Sequence, residues 1–148
     1  MEQFIVFENN QQNFALDISK IERIIEYKQP KKIPESSEYL LGIIEYNDKI
    51  LPIIDLTNRL YNIQSSHQED AKIVVILWKS KQIGLVVDAI LGIHSFSEEQ
   101  YEQNNDSQIS KEYIRGFIKS EEDITIVLDT DQIFKENQER ELMLVGNN

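Results

Sequence analysis

The chain has 148 residues, 41% of them hydrophobic, which is enough for one globular domain or for two small subdomains that share a core. Asp and Glu outnumber Lys and Arg by 26 to 15, and the formal charge of −11 argues against nucleic-acid binding, since phosphates would be repelled. The chain has no cysteine, which excludes disulfides, thiolate metal sites and a cysteine nucleophile. The N-terminus lacks the features of a secretory signal and no apolar run approaches membrane-spanning length. We therefore expect a cytoplasmic protein without direct membrane insertion.

Short runs rich in Ile, Val, Phe and Tyr, bounded by turn-forming residues, predict an all-β fold of ten strands. Two helices are predicted as well: a short one over Leu56 to Tyr61, and a C-terminal one that begins near Asp131, where Asp129 or Thr130 can cap exposed backbone N–H groups. The predicted strands are, in chain order, Gln3 to Glu8, Asn13 to Ile18, Arg23 to Lys28, Gly42 to Tyr46, Lys49 to Asp55, Lys72 to Trp78, Gln82 to Asp88, Ile90 to Phe96, Tyr113 to Lys119 and Ile124 to Asp129.

The sequence contains an internal duplication. The segment that begins with Gly42-Ile43-Ile44 and ends at Asp55 is matched by the segment that begins with Gly116-Phe117-Ile118 and ends at Asp129. In each copy the Asp follows the Gly by thirteen positions. We therefore expect a single domain built of two repeated barrels, about 1–66 and 67–148, that share apolar surface and are open to exchange of their terminal segments. An ordinary sandwich whose helices cover one sheet is the alternative. Upstream segments match in the same order, Phe14-Ala15-Leu16 with Ile83-Gly84-Leu85 and Phe4-Ile5-Val6-Phe7 with Ile73-Val74-Val75-Ile76.

Two polar segments are expected at the surface. Asn62 to Asp70 is the natural connector between the repeats. The longer segment, Ser97 to Glu112, is expected to be a surface loop with a helical turn begun by Ser97, since Glu98 and Glu99 favour a helix start. Long polar loops in compact domains are functional or mobile, and composition does not decide between these.

No group of residues predicts catalysis or a cofactor. His67 in the polar connector and His94 at a strand end are the two histidines, and neither is placed as the base of a nucleophilic site. The acidic runs Glu98-Glu99 and Glu121-Glu122-Asp123 are expected to be solvated, and Asp129-Thr130-Asp131 lacks the further ligands of a Ca²⁺ loop. There is also no Gly-rich phosphate loop. We expect no catalytic residue, no metal and no cofactor, and instead docking at barrel ends or in the groove between the halves.

Several stretches, taken in order, resemble the CheW-like domain of bacterial chemotaxis, and the resemblance covers nearly the whole chain. It implies two intertwined five-stranded SH3-like β-barrels and no enzymatic activity. Its fold-motif residues are Gly42, Pro52, Asp55, Gly84, Asp88, Gly116 and Asp129. The stretches are Phe14-Ala15-Leu16-Asp17-Ile18, Ile21, Ile24, Pro34, Tyr39, Gly42-Ile43-Ile44, Leu51-Pro52-Ile53-Ile54-Asp55-Leu56, Gly84-Leu85-Val86-Val87-Asp88, Gly116 and Ile126-Val127-Leu128-Asp129.

The resemblance also implies partners. It predicts a stand-alone scaffold that couples the cytoplasmic tips of methyl-accepting chemotaxis receptors to the histidine kinase CheA, and that is recruited to membrane receptor arrays. The regulatory domain of that kinase has the same fold, so kinase and adaptor can pack barrel end to barrel end. Two alternatives stay open: a divergent scaffold of a non-chemotactic or receptor-independent kinase array, and a small ligand-binding or hydrolytic β-barrel.

The chain departs from the family pattern near the expected receptor groove. Where the family usually continues Asn-Leu-Arg-Gly, this sequence has Glu45-Tyr46-Asn47-Asp48, and Arg23 stands where the family commonly has Glu. Asn and Asp tolerate positive φ, so the hairpin turn should be kept. We hypothesise an inverted pair in which Arg23 faces Asp48; two independent solvated charges are the alternative. The expected groove residues are Ile21, Arg23, Asn47, Asp48, Val87 and Ile90.

Overall fold

The computed structural model describes residues 2–64, 70–104 and 111–145. His67 and most of the predicted connector lie outside these residues, as do residues 105–110 of the predicted polar loop. The elements of the described residues are β1 (Gln3–Asn9), β2 (Gln12–Asp17), β3 (Ile21–Glu26), β4 (Leu40–Tyr46), β5 (Lys49–Asp55), α1 (Leu56–Tyr61), β6 (Lys72–Trp78), β7 (Lys81–Val87), β8 (Ala89–Ser95), β9 (Tyr101–Gln103), β10 (Ile114–Lys119), β11 (Ile124–Leu128) and α2 (Glu136–Leu144), with short 3₁₀ turns between some of them.

The strands form two sheets, and each sheet takes strands from both halves of the chain. One has the order β8-β1-β2-β11-β10-β9 and the other the order β3-β6-β7-β5-β4. Strands from the two halves meet in two parallel pairs, β2 with β11 and β5 with β7, and in two antiparallel pairs, β1 with β8 and β3 with β6. The predicted all-β fold of two intertwined SH3-like barrels is therefore confirmed. The division into repeats of about 1–66 and 67–148 stays a prediction.

All ten predicted strands are present, with ends that differ by at most two residues. The eleventh strand, β9, lies inside the predicted polar loop and pairs with β10, with Gln103 opposite Gly116. The predicted helical turn after Ser97 is the 3₁₀ turn Glu98–Gln100. The C-terminal helix begins at Glu136 and not near Asp131, because Asp129 caps a separate 3₁₀ turn, where its carboxylate accepts a hydrogen bond from Asp131 N at 3.0 Å.

The hairpin turns use non-glycine residues with positive φ. Asn47 and Asp48, between β4 and β5, have φ of 49° and 63°, which confirms the predicted turn conformation. The same pair of angles occurs at Asn10 and Gln11 between β1 and β2, with φ of 52° and 64°. Such turns match the right-handed twist of the flanking strands.

The core explains why several strands are apolar on both faces. In β6, Ile73 and Val75 pack inside the five-stranded barrel, whereas Val74 and Ile76 belong to the largest cluster, which also contains residues of β1, β2 and α2. A separate small cluster, which contains Phe4, Val6 and Ile118, fills the six-stranded barrel. The largest cluster therefore lies at the seam of the two barrels. Because neither barrel can bury this surface alone, we expect the halves to unfold together.

Helix α2 is fastened to the five-stranded barrel through side chains of both elements. The Tyr39 hydroxyl donates a hydrogen bond to Glu141 Oε1 (2.6 Å), and Ser37 N–H donates to the second carboxylate oxygen of Glu141 (3.0 Å). In the same C-terminal part of the helix, Lys81 Nζ donates to the backbone oxygen of Leu142 (2.6 Å). The bond from Lys81 satisfies a helix-end carbonyl, and the three bonds together hold the helix over the seam.

The Glu141 contacts predict a pH dependence of stability. Burial raises the pKa of Glu141, but the hydrogen bonds from Tyr39 and Ser37 outweigh it, so that the pKa lies below its ordinary value of 4.5. A carboxyl whose pKa is depressed by folding stabilises the protein above the unfolded pKa and loses that contribution as the pH falls through the folded one. We expect Glu141→Gln to lower the free energy of unfolding by about 1 kcal/mol at neutral pH, a low figure because solvent screens the carboxylate.

Urea unfolding of Glu141→Gln and of the wild type at several pH values checks this. The difference should shrink between about pH 6 and about pH 3. Glu136→Gln, an exposed substitution on the same helix, is the control, and its difference should change less. A Glu141→Gln difference that is the same at every pH would contradict the assignment.

Candidate docking surfaces

The glycines of the fold motif lie where a side chain would collide with the barrel. A Cβ on Gly42 would lie 2.1 Å from the backbone oxygen of Lys31, and φ of Gly42 is +148°. On Gly116 it would lie 2.4 Å from the Tyr101 hydroxyl, and on Gly84 2.7 Å from Cγ2 of Ile73. These residues permit close approach within the barrels and form no part of an exposed surface.

The aspartates of the motif cap backbone N–H groups. The buried carboxylate of Asp55 accepts a hydrogen bond from Asn58 N at 3.2 Å and starts α1, and Asp129 caps its 3₁₀ turn in the equivalent position of the second half. Asp88 is exposed and accepts a bond from Asn10 N at 2.8 Å. Pro52 is buried in β5, opposite Ile43. The motif residues are thus placed as structural residues, and a role in partner binding is not evident for them.

The predicted groove residues do not form one surface. Arg23 and Asn47 line the same pocket of about 590 Å³, whereas Asp48 lines a different cleft. Across the described part of the chain, no ion pair joins Arg23 to Asp48. The inverted pair is therefore not formed, and the two charges are independent. Val87 is fully buried, and both Ile21 and Ile90 pack against the seam core.

An exposed apolar edge lies on β8, and the sequence reasoning missed it. Leu91 and Ile93 are 46% and 57% exposed, and β8 is the last strand of its sheet. His94 stacks on Phe96 with ring centroids 5.9 Å apart. We name Leu91, Ile93 and His94 the β8 surface. An exposed strand edge with apolar side chains favours pairing with another chain, so it is a candidate docking site.

The equivalent edge of the other barrel is charged. Strand β3 ends the five-stranded sheet and exposes Glu22, Arg23 and Glu26. The two edges are alike in backbone arrangement and differ in side-chain chemistry. A partner that binds by apolar contact is therefore expected at β8 and not at β3.

A second candidate surface lies at the turn end of the five-stranded barrel. It is a cleft of about 1310 Å³ in which Ile50 and Leu77 are 45% and 50% exposed. Five of the 15 Lys and Arg residues of this acidic chain line it. The sequence pattern does not show this cluster, because the five residues come from three separate parts of the chain. We name it the lysine cleft, and its cations are Lys28, Lys31, Lys49, Lys79 and Lys81.

The His, Asp and Glu residues of the described part of the chain are not gathered into a metal site. Within them, no group of three or more His, Cys, Asp or Glu residues is placed to hold a metal ion. His94 is exposed and contacts an aromatic ring. None of the helices in the same part of the chain is long and apolar enough to cross a membrane.

Comparisons with known proteins agree on one family. The model of the CheW-like domain matches residues 3–138. The chain is 29% identical over 130 residues to "Chemotaxis protein CheW" of Thermotoga maritima, covering 88% of this chain and 85% of the relative. It is 23% identical to "Chemotaxis protein CheW" of Bacillus subtilis, with 89% and 86% covered. The crystal structure of the scaffolding protein TtCheW from Thermoanaerobacter tengcongensis superposes with a TM-score of 0.83 at 25% identity, covering 93% of this chain and 94% of that one.

Proposed function

The chain belongs to the CheW-like family of chemotaxis scaffold proteins, and we propose that it is a non-enzymatic adaptor that couples the cytoplasmic tips of methyl-accepting receptors to the regulatory domain of the histidine kinase CheA. On this proposal it works in the cytoplasm and is recruited to membrane receptor arrays. The observation that carries the proposal is the β8 surface, where Leu91 and Ile93 are exposed on a strand that ends its sheet.

We propose that the receptor tip binds at the β8 surface. A helical hairpin presents apolar residues that can cover Leu91 and Ile93, which are otherwise exposed to water. The predicted groove residues Arg23 and Asn47 stay candidates, since they share a pocket on the other barrel. Their role stays a prediction.

We propose that the kinase binds at the lysine cleft. The cleft is at the end of a barrel, where a domain of the same fold can pack end to end, and it combines exposed apolar side chains with positive charge. Ile50 lies within it and is 45% exposed. Charged side chains around an apolar centre are typical of specific protein interfaces.

A pair of substitutions tests whether the receptor tip and the kinase bind at these two separate surfaces. Ile93→Asp is expected to weaken binding to a receptor-tip fragment by about tenfold or more and to leave kinase binding unchanged, because a carboxylate would be buried at the receptor contact. Ile50→Asp should do the reverse. Ile124→Asp, at a residue that is 52% exposed on β11, is the control and should affect neither.

Binding is measured by pull-down and titration with purified partners, and coupling by phosphorylation of the kinase in the presence of receptor. Because all three isoleucines are largely exposed, the variants should keep the wild-type unfolding midpoint. If the wild type bound neither partner, the adaptor proposal would fall. If Ile93→Asp and Ile50→Asp kept full binding, only the placement of the two surfaces would be wrong.

A second candidate function is a scaffold of a non-chemotactic or receptor-independent kinase array. The observation that favours it is the loss of the family's Arg and Glu pair, with Asn47 and Arg23 in their places and no ion pair between Arg23 and Asp48 within the described residues. It predicts that the chain binds the kinase but does not raise kinase output with chemotaxis receptors. The phosphorylation assay separates the two functions.

A further inference from the structure

A polar cleft of about 920 Å³ lies at the junction of α1, the start of β10 and the start of α2, and it shares no lining residue with either docking surface. Arg59 of α1 lines it, and its guanidinium carbon lies 5.4 Å from the centre of the Tyr113 ring. The contact joins the two halves of the chain, since Tyr113 precedes β10. Stacking on an aromatic face fixes the plane of a guanidinium and leaves its N–H edges free to donate.

Arg59 is partly withdrawn from water without a partner for its charge. Its Nε is buried and has no hydrogen-bond partner, and none of the described residues forms an ion pair with it. Burial lowers the pKa of Arg59, but an arginine guanidinium stays charged at neutral pH. An unpaired, partly buried charge costs free energy that a carboxylate would offset.

The acidic residues that line the cleft do not form an ion pair with Arg59. Glu38 and Glu112 line the cleft, but the Glu38 carboxylate lies against the side-chain amide of Asn58, at 3.5 Å. Two further cations, Lys111 and Lys135, also line it. Three cations and two acids therefore face one concavity in a chain whose formal charge is −11, which makes the cleft locally positive.

We propose that this cleft binds an acidic peptide segment of a partner protein, with Arg59 holding one carboxylate through two parallel N–H···O bonds. The planar fork of arginine matches the two oxygens of a carboxylate, and Lys111 and Lys135 can take neighbouring acids of the same segment. The cleft has the volume of sites that bind a few residues of a ligand. The proposal does not depend on the adaptor function.

The test is a titration of the full chain with a capped peptide of sequence Glu-Asp-Glu. Binding is monitored through the NMR signal of the Arg59 Nε–H group. We expect that signal to shift on binding, because a carboxylate that binds the terminal N–H groups changes the environment of the whole guanidinium. Arg59→Gln should weaken binding by about tenfold or more, and Arg59→Lys should restore only part of it, since lysine keeps the charge and lacks the fork. Arg140→Gln, on the exposed face of α2, should bind as the wild type does.

Four outcomes would overturn the proposal. They are an Arg59 signal that does not move in the wild type, unchanged binding by Arg59→Gln, equal binding of a neutral Gln-Asn-Gln peptide, and displacement of the acidic peptide by an equal concentration of inorganic phosphate. The last would identify a site for free anions. Because the wild-type titration needs no variant, the test holds even if Arg59→Gln does not fold.

Discussion

Gly42→Ala is expected to lower the free energy of unfolding by about 3 to 5 kcal/mol, a large part of the stability of a small domain. The new Cβ would lie 2.1 Å from the backbone oxygen of Lys31 and 2.6 Å from its carbonyl carbon, so that a backbone segment and not a flexible side chain must move. That segment forms the bridge between Lys31 and Ile43, whose two backbone hydrogen bonds are both 2.9 Å long. The positive φ of Gly42 adds strain to this collision.

Gly92→Ala is the matched control. Gly92 also has a positive φ, +130°, but the nearest atom to its Cβ would be His94 Nε2, at 3.5 Å. It therefore carries the backbone strain without the collision, and we expect a loss of about 1 to 2 kcal/mol. Urea unfolding of both variants isolates the steric part. Equal losses of unfolding free energy would show that the Lys31 segment moves at little cost. The close packing at this end of the barrel would then not be required for stability.

The secondary structure was largely predictable because its signals are local. Helix α1 has an Asp cap and begins directly after an apolar strand, and its predicted bounds, Leu56 to Tyr61, are those observed. Strand β9 has no such signal: its residues, Tyr101-Glu102-Gln103, show no alternation, and they are a strand because β10 offers them a partner. The displaced start of α2 has a similar cause, since Asp129 could cap either kind of helix.

The surfaces were harder to predict because they depend on distances between strands. Arg23 and Asp48 were paired from their places in the family pattern, yet the direction of the β4–β5 hairpin brings Asn47, and not Asp48, into the pocket of Arg23. One signal was available: Ile83 to Val87 is an unbroken apolar run, which indicates burial on both faces and argues against Val87 as a contact residue. The position of Arg59 against Tyr113 could not be read from the sequence, because 54 positions separate them.

Leu142→Ala is expected to lower the free energy of unfolding by about 2 to 5 kcal/mol, whereas Leu144→Ala, two residues further along α2, should change it by less than about 0.5 kcal/mol. Leu142 is fully buried in the seam core, and Leu144 is 76% exposed. The pair shares one helix and one substitution, so that differences in helix propensity cancel and only burial differs.

The comparison also tests whether the two barrels unfold as one unit. The seam core that holds Leu142 contains Phe7 and Leu16 of the six-stranded sheet together with Trp78 of the five-stranded sheet. A cavity there should therefore lower the stability of both barrels, and the Trp78 fluorescence and the far-ultraviolet circular dichroism should report one shifted transition. Two separate transitions in Leu142→Ala would mean that the six-stranded barrel is stable without the seam core. The shared core would then be a contact between independently folding units.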